Sequence, residues 1–192
     1  GSGAIVPRLL PQSRFSATVQ GRMNTIYHLG LGSNLGDRQE NLLTGLKFLA
    51  RNGIIHTVSS VFITKPFGVP VPCPDFYNMA IRFESRLSPL RLLCLCKAIE
   101  HRCGRPPDSH NQPRTLDIDI LLAGELRLQT PMLRIPHPEI CNRAFVLLPL
   151  LEIDSDLNDP FSGKSYRSFM DKRKESIIQD RFRLPVDCIT DR

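Results

Sequence analysis

Four short stretches of the chain are predicted as β-strands: hydrophobic and polar residues alternate in residues 76–84 and 116–120, as in half-buried strands, and residues 54–63 are rich in β-branched side chains. These stretches cover residues 26–31, 54–63, 76–84 and 116–120. A small hairpin is also predicted around Thr130-Pro131, where short apolar runs lie on either side of a turn. The chain therefore contains enough strands for a single sheet.

Apolar residues at helical spacing lie between the strands and predict helices. One helix follows Asp37, a good N-cap residue, and a second begins after Ser88 and ends at Gly104. A short helix is predicted near residues 143–151, and a last, weakly amphipathic helix over residues 165–180.

The elements follow one another as strand–helix–strand, strand–helix–strand. This order predicts two split βαβ units and hence an α+β, ferredoxin-like fold, in which an antiparallel sheet has helices on both faces and forms three layers. Two long polar loops, residues 65–74 and 105–112, carry several prolines and flank the third strand and second helix. Loops of that length in a compact domain are usually functional.

The length of 192 residues fits one domain with a substantial core. We expect this domain to cover residues 25–192, with residues 155–192 as a poorly defined C-terminal extension. Residues 1–24 are expected to be a disordered leader or tag, and Gly1-Ser2 is typical of a cloning remnant. A transit peptide is the alternative, because residues 3–22 contain arginine and serine and no acidic residue.

The net charge of +6 raises the question of a nucleic-acid partner. Half of it comes from Arg8, Arg14 and Arg22, and the rest of the chain has no sustained basic run apart from Lys172-Arg173-Lys174. This distribution favours a mildly cationic nucleotide pocket over a DNA-binding surface. No apolar run reaches the length of about 18 residues that crosses a membrane, so no membrane partner is expected.

The six cysteines contain no Cys-x-x-Cys pair. A zinc site and a disulfide framework are both disfavoured, and the thiols are interpreted as reduced, small apolar residues of a cytoplasmic protein. We also expect a monomer whose partners are small molecules.

Asp117 and Asp119 are the strongest candidates for chemistry. In a strand, residues i and i+2 point to the same side, so the two carboxylates stand together, about 7 Å apart along the backbone. Two like charges on one face raise each other's pKa unless a cation lies between them. Mg²⁺ binds one or two carboxylates together with substrate phosphates and is therefore the natural candidate.

Several loop residues are candidates for binding the anion that such a metal carries. Arg105, Arg114 and Arg143 lie on three loop-like stretches, and forked donors from separate elements suit a polyphosphate, although scattered surface arginines are the default interpretation. His137 lies between two prolines that fix its backbone, so we weigh a nucleotide contact against a structural role. The glycine-rich turn at residues 30–36 lacks the spacing of phosphate-binding loops and is interpreted as structural.

A second group of residues suits a flat ligand. Two aromatic faces with an amide between them can hold a hydrogen-bonding heterocycle, and the same residues can equally belong to a core and a turn. The group comprises Thr64, Phe67, Phe76, Asn78 and Phe145.

Several motifs, taken together, closely resemble those of the 6-hydroxymethyl-7,8-dihydropterin pyrophosphokinase family. The motifs are Leu31–Asp37 (LGSNLGD), Phe76–Asn78 (FYN), Gln112–Ile120 (QPRTLDIDI), Ile135–Pro138 (IPHP) and Asn142-Arg143. The resemblance covers about residues 26–153. It implies a folate-pathway enzyme that transfers the terminal pyrophosphate of ATP to the hydroxymethyl group of the pterin and releases AMP.

The resemblance also implies roles for individual residues. Asp117 and Asp119 would bind two Mg²⁺ ions, and they would act in catalysis together with the phosphate-binding arginines Arg105 and Arg114. The ATP-binding positions are Glu100, Arg105, Arg114, Ile120, His137 and Arg143. The pterin-binding positions are Thr64, Pro66, Phe67, Phe76, Asn78 and Phe145.

Three other functions fit parts of the pattern. The chain could be a catalytically silent binding domain of the same fold, a nucleic-acid binder, or an ATP-dependent enzyme with another acceptor. Release of AMP that depends on both the pterin and Mg²⁺ distinguishes the pyrophosphokinase from all three.

Overall fold

The structure, a computed structural model, describes residues 24–66, 74–104, 113–170 and 177–186. Its strands are β1 (Thr25–Ser33), β2 (Ile54–Val58), β3 (Val61–Thr64), β4 (Phe76–Ser85), β5 (Asp117–Ala123), β6 (Leu128–Gln129), β7 (Arg134–Ile135) and β8 (Ile178–Phe182). Its α-helices are α1 (Arg38–Ala50), α2 (Pro89–Arg102) and α3 (Ala144–Ile153), and Tyr166–Phe169 is a 3-10 helix.

The main sheet is antiparallel and contains six strands. They lie in the order β5-β1-β4-β3-β8, and β2 pairs with β4 on the same side as β3. In the centre, Gly30 of β1 lies opposite Ala80 of β4 and opposite Asp119 of β5. This order, with α1 and α2 as the connections, is that of a ferredoxin-like fold, so the predicted α+β class is confirmed.

Helices cover both faces of the sheet. On one face, Leu29 and Leu31 of β1 belong to a core that they share with Leu46 of α1 and Leu92 of α2. On the other face lies α3, whose C-cap residue Asp154 contacts the buried His28 of β1 at 3.3 Å. The three predicted layers are therefore present.

A β-bulge in β5 changes the direction of its side chains. His28 lies opposite Leu122 and the next residue, Leu29, lies opposite Ile120, so Leu121 is the extra residue of the bulge. Ile120 belongs to the core under α1 and α2, whereas Leu121 and Leu122 both belong to the apolar cluster under α3. The bulge thus anchors the end of β5 to α3.

The stretch 54–63 forms two strands, and the prediction of one continuous strand is wrong. Ser59 and Ser60 separate β2 from β3. The Ser59 hydroxyl accepts the amide of Ala80 at 2.9 Å, and the amide and hydroxyl of Ser60 donate to Glu152 at 3.0 and 2.8 Å. These side-chain bonds replace backbone bonds of a continuous ladder and interrupt the strand.

The prediction of a helix over residues 165–180 is also wrong. A 3-10 helix occupies Tyr166–Phe169, and β8 pairs with β3, with Phe182 opposite Val61 and Ile178 opposite Thr64. The edge of β3 offers unpaired backbone groups, and this long-range pairing overrides a weak helical pattern. Residues 171–176 lie outside the described part of the chain.

The helix-boundary signals are confirmed. The Asp37 side chain accepts the amide of Glu40 at 3.0 Å and caps α1. Ser88 is the N-cap of α2, although its side chain makes no capping hydrogen bond, and Gly104 follows the helix with a φ of 87°. A left-handed conformation of this kind favours glycine and ends the helix.

The described residues begin at Asn24, so the predicted leader lies almost entirely outside them. Across the described ranges, none of the helices combines the length and apolar character needed to span a membrane.

Candidate active site

A cavity opens on the α3 face of the sheet, where β1, β4 and β5 lie side by side. Gly30 and Gly32 of β1 line it and leave the sheet surface flat, because neither has a side chain. Nine residues predicted for the site line this cavity, namely Thr64, Phe76, Asn78, Arg114, Asp117, Asp119, His137, Arg143 and Phe145. The fold therefore brings together residues that are distant in sequence.

Three other predicted residues are described by the structure and do not line the cavity, and two lie outside the described residues. Glu100 and Ile120 are buried on the α2 side of β5, each 2% exposed. Pro66 is half-buried beside the cavity-lining Lys65, and it does not line the cavity itself. Phe67 and Arg105 lie outside the described residues. The roles predicted for these five residues stay predictions.

Asp117 and Asp119 lie on the cavity side of β5, as the strand alternation predicts. Burial, followed by the negative charge of Asp117, raises the pKa of Asp119 to about 6, while Lys97 and Arg114 act in the opposite direction. A cation placed between the two carboxylates would stabilise both charges and lower this pKa.

The donor set fits Mg²⁺ held jointly by protein and substrate. In the described part of the chain, no group of three or more His, Cys, Asp and Glu side chains could hold a metal ion. Two neighbouring carboxylates supply only part of an octahedral oxygen shell. Mg²⁺ is usually bound in this way, with substrate phosphates and water completing its coordination.

Arg114 lies against this carboxylate pair. Its Nη1 donates to Asp117 Oδ2 at 2.6 Å, and both side chains are about one-fifth exposed. The Arg114 Nε is buried and has no hydrogen-bond partner among the described residues. A buried donor without an acceptor is rare in folded proteins, and a guanidinium nitrogen of this kind suits an anionic ligand.

Asn34 holds Arg114 in place, a function that the sequence interpretation missed. The side-chain oxygen of Asn34 accepts a hydrogen bond from the backbone amide of Arg114 at 2.7 Å. The backbone amide of Asn34 in turn donates to the carbonyl of Arg114 at 3.1 Å. Asn34 is fully buried. The glycine-rich turn is structural, as predicted, and its Asn34 also fixes the backbone of the segment that carries Arg114. The available signal was an asparagine at a strand end, because its side chain can bond a neighbouring backbone.

His137 is positioned through its backbone, whose amide donates to the carbonyl of Leu121 at 2.9 Å. Its Nδ1 accepts the amide of Glu139 at 3.3 Å, so the neutral ring carries its proton on Nε2. Burial, followed by the positive charge of Arg143, lowers the pKa of His137. The ring is therefore neutral near pH 7 and can donate one hydrogen bond from Nε2.

A second group of polar and aromatic residues lines the same cavity and forms what we call the aromatic slot. Asn78 and Thr64 are buried there, and the Asn78 amide donates to the Thr64 hydroxyl at 2.9 Å. A Cβ added at Gly32 would lie 3.3 Å from the side-chain oxygen of Asn78, so glycine leaves room beside that amide. Phe76 and Phe145, both half-buried, contribute aromatic rings to the lining.

Comparison with known proteins matches residues 28–155 to the family described as 7,8-dihydro-6-hydroxymethylpterin-pyrophosphokinase (HPPK). The 2-amino-4-hydroxy-6-hydroxymethyldihydropteridine pyrophosphokinase of Haemophilus influenzae is 42% identical over 137 residues, which are 70% of this chain and 85% of that protein. The protein of the same description from Bacillus subtilis is 39% identical over 133 residues, or 68% of this chain and 79% of the relative.

Solved structures support the same fold. An HPPK-DHPS protein in complex with substrates superposes with a TM-score of 0.65 at 15% identity, covering 80% of this chain and 44% of that one. Wild-type Plasmodium falciparum HPPK-DHPS with SDX-DHP gives a TM-score of 0.60 at 15% identity, covering 77% and 44%. At this level of identity the likeness concerns the fold alone.

Proposed function

The chain belongs to the 7,8-dihydro-6-hydroxymethylpterin-pyrophosphokinase family, and we propose that it transfers pyrophosphate from ATP to 6-hydroxymethyl-7,8-dihydropterin in a Mg²⁺-dependent reaction that releases AMP. Pyrophosphoryl transfer in folate biosynthesis is the activity of this family, so the chain is an enzyme of that class. One observation supports the finer assignment above all: a carboxylate pair and an arginine line the same cavity as two aromatic side chains, Phe76 and Phe145.

Asp117 and Asp119 would hold the metal, as two Mg²⁺ ions. When bound, the ions neutralise charge on the β- and γ-phosphates of ATP during transfer. The raised pKa of Asp119 supports this assignment, because a side chain that is costly to ionise alone gains most from a bound cation.

Arg114 and Arg143 would hold the phosphates from two separate elements. Arg114 offers its buried Nε, and Arg143 lies at the N-cap of α3, where it lines the cavity. The neutral His137 would add one donor from Nε2. Arg105 is proposed as a third arginine from the loop that lies outside the described residues.

The pterin would occupy the slot between Phe76 and Phe145. Aromatic rings suit the flat faces of a pterin, and the buried Asn78 and Thr64 offer polar atoms to its edge. Pro66 and Phe67 are proposed as further contacts at the end of β3.

In the proposed reaction, the hydroxymethyl oxygen of the pterin forms a bond to the β-phosphorus of ATP. The bond between that phosphorus and the oxygen bridging to the α-phosphate breaks, and AMP leaves with the bond electrons. The hydroxyl proton passes to solvent. The side chains hold the two substrates in line and stabilise the transferring charge, and these two effects supply most of the rate.

Chromatographic detection of AMP tests the proposal. We expect AMP only when protein, ATP, Mg²⁺ and the pterin are all present, and we expect Asp117→Ala and Asp119→Ala to reduce its release by about a thousandfold or more. No release with all components present, or release that does not need the pterin, contradicts the proposal. Glu100 and Ile120 as nucleotide contacts, the monomeric state and the cytoplasmic location stay predictions.

A further inference from the structure

We propose that Glu100 is a positioning residue for the metal-binding carboxylates, because it fixes the backbone of β5 between Asp117 and Asp119. The inference rests on the proposed function, since it concerns the same site. It assigns Glu100 an action through the protein backbone, separate from any contact with the nucleotide.

The geometry begins at the edge of the sheet. β5 is the first strand in the sheet order, with β1 on one side and no strand of the described sheet on the other. The amide of Ile118 points to this outer side, where it donates to Glu100 Oε1 at 2.8 Å. The carboxylate thus takes the place of a neighbouring strand at this position.

The surroundings of Glu100 show that its carboxylate is an exception on its helix. The buried face of α2 consists otherwise of Leu92, Cys96 and Ile99, and Glu100 is as buried as they are, with 2% exposure. A buried carboxylate is costly unless it is hydrogen-bonded or paired. Here Oε1 meets both the Ile118 amide and Lys97 Nζ, each at 2.8 Å.

The bond between Glu100 and Ile118 affects both aspartates because of where Ile118 lies. Ile118 lies between the two aspartates, so the planes of its two peptide bonds set the directions of both carboxylates. The Asn34 bonds hold the preceding segment at Arg114, and the Glu100 bond holds the strand itself. A displacement of about 1 Å in such groups can reduce turnover by about a hundredfold.

Two matched variants distinguish the effect of the length of the Glu100 side chain from the effect of its negative charge. Glu100→Gln keeps the length of the side chain and an acceptor oxygen but removes the negative charge. Glu100→Asp keeps the charge but shortens the side chain by one methylene, so it cannot reach the Ile118 amide from the same backbone. We expect Glu100→Asp to lower kcat about tenfold or more, and to lower it more than Glu100→Gln does, because only Glu100→Gln can still accept the Ile118 amide.

Two further measurements do not depend on turnover. The amide of Ile118, followed by NMR hydrogen exchange, should remain protected in wild type and Glu100→Gln and exchange at least about tenfold faster in Glu100→Asp. Calorimetric titration of Mn²⁺ with a non-hydrolysable ATP analogue should show about tenfold weaker binding to Glu100→Asp, and a smaller change in Glu100→Gln. The affinity for the pterin alone should be the same in all three proteins.

The outcomes are distinct. If the kcat of Glu100→Asp equals that of wild type, or if Glu100→Gln has the lower kcat of the two variants, the negative charge matters more than the bond to Ile118. Either result overturns the inference. If wild type releases no AMP, the proposed function fails. The exchange of Ile118 and the Mn²⁺ titration still decide the positioning inference in that case.

Discussion

At the scale of single residues, Asp119 lowers the stability of the ligand-free protein. Its pKa is raised from 3.8 to about 6 in the folded state, so between these values the folded protein binds more protons than the unfolded one. The free energy of unfolding therefore falls as the pH rises through this window. The total effect is on the order of 2 to 3 kcal/mol, which is a large share of the stability of a typical domain.

Asp119→Asn is expected to stabilise the ligand-free protein while it removes activity. The amide has nearly the shape of the carboxylate and does not ionise, so the Tm of the variant should exceed that of wild type by about 5 °C at pH 8. The difference should shrink at pH 4.5, where Asp119 of the wild type is protonated. Thermal melts at both pH values without metal provide the measurement.

Asp156→Asn is the control for this experiment, because Asp156 is exposed and does not line the cavity. It should change the Tm by less than about 1 °C at either pH. A Tm of Asp119→Asn below that of wild type at pH 8 would contradict the proposed cost of ionising Asp119.

Arg114 is expected to act on chemistry more than on pterin binding. Arg114→Ala removes the buried Nε and the partner of Asp117, and neither atom belongs to the aromatic slot. We expect single-turnover rates to fall about a hundredfold or more and the pterin dissociation constant to change less than about threefold. Arg114→Lys keeps the charge without the fork and should recover only a small part of the rate. Equal losses in rate and in pterin affinity would show that Arg114 shapes the slot itself.

At the scale of elements, β8 protects the edge of β3, and the pattern of its amides allows a sharp test. The amide of Arg181 donates to the side chain of Asp180 at 2.7 Å, so it does not serve the ladder with β3. Successive amides of a strand point in opposite directions, and Asp180 lies opposite Ile63, so the Asp180 amide faces β3.

Asp180→Pro is therefore expected to destabilise the protein more than Arg181→Pro. The first change removes an amide of the ladder, and the second removes one that faces away from β3. We expect a difference of about 1 to 3 kcal/mol in the free energy of unfolding, measured by urea titration. Equal effects of the two prolines would mean that β8 does not pair with β3 in the register described. Turnover at low temperature should survive in both variants, because no residue of β8 lines the cavity.

Elements with strong local signals were predictable, and elements made by distant contacts were not. α1 and α2 have N-cap residues, apolar stripes and clear ends, and both form as predicted. The break at Ser59 depends on Ala80 and on Glu152, about 20 and 90 residues away, which no local pattern reveals. β8 likewise exists because β3 has an open edge.

At the scale of the whole molecule, the composition of the site was more predictable than its geometry. The aspartates share a face because strand alternation alone requires it. The bonds between Asn34 and Arg114 and the meeting of Phe76 with Phe145 in one cavity arise only when β1, β4, β5 and α3 assemble. The resemblance to known enzymes supplied Arg114, Phe76 and Phe145 before the fold explained why they meet, but it gave no role to Asn34.

Binding of both substrates should stabilise the folded protein by mass action. A non-hydrolysable ATP analogue with Mg²⁺, at about 100 times its dissociation constant, adds about 2.7 kcal/mol and should raise the Tm by about 5 to 10 °C. The shift should be lost in Asp117→Ala, which keeps the pterin slot and should still respond to the pterin. A metal-dependent shift that persists in this variant would contradict the assignment of the carboxylates.

The contact between Arg114 and Asp117 has a consequence for selectivity. In the ligand-free protein the Arg114 guanidinium already neutralises the charge of Asp117. The two carboxylates therefore have a low affinity for a divalent ion that arrives alone. In the proposed reaction, an ion that enters together with a triphosphate would meet different conditions, because the phosphate oxygens would compete with Asp117 for the guanidinium. Free calcium or magnesium ions in the cell would then compete poorly with an ion that arrives bound to the triphosphate. An inhibitor confined to the aromatic slot would leave the pair of Arg114 and Asp117 intact.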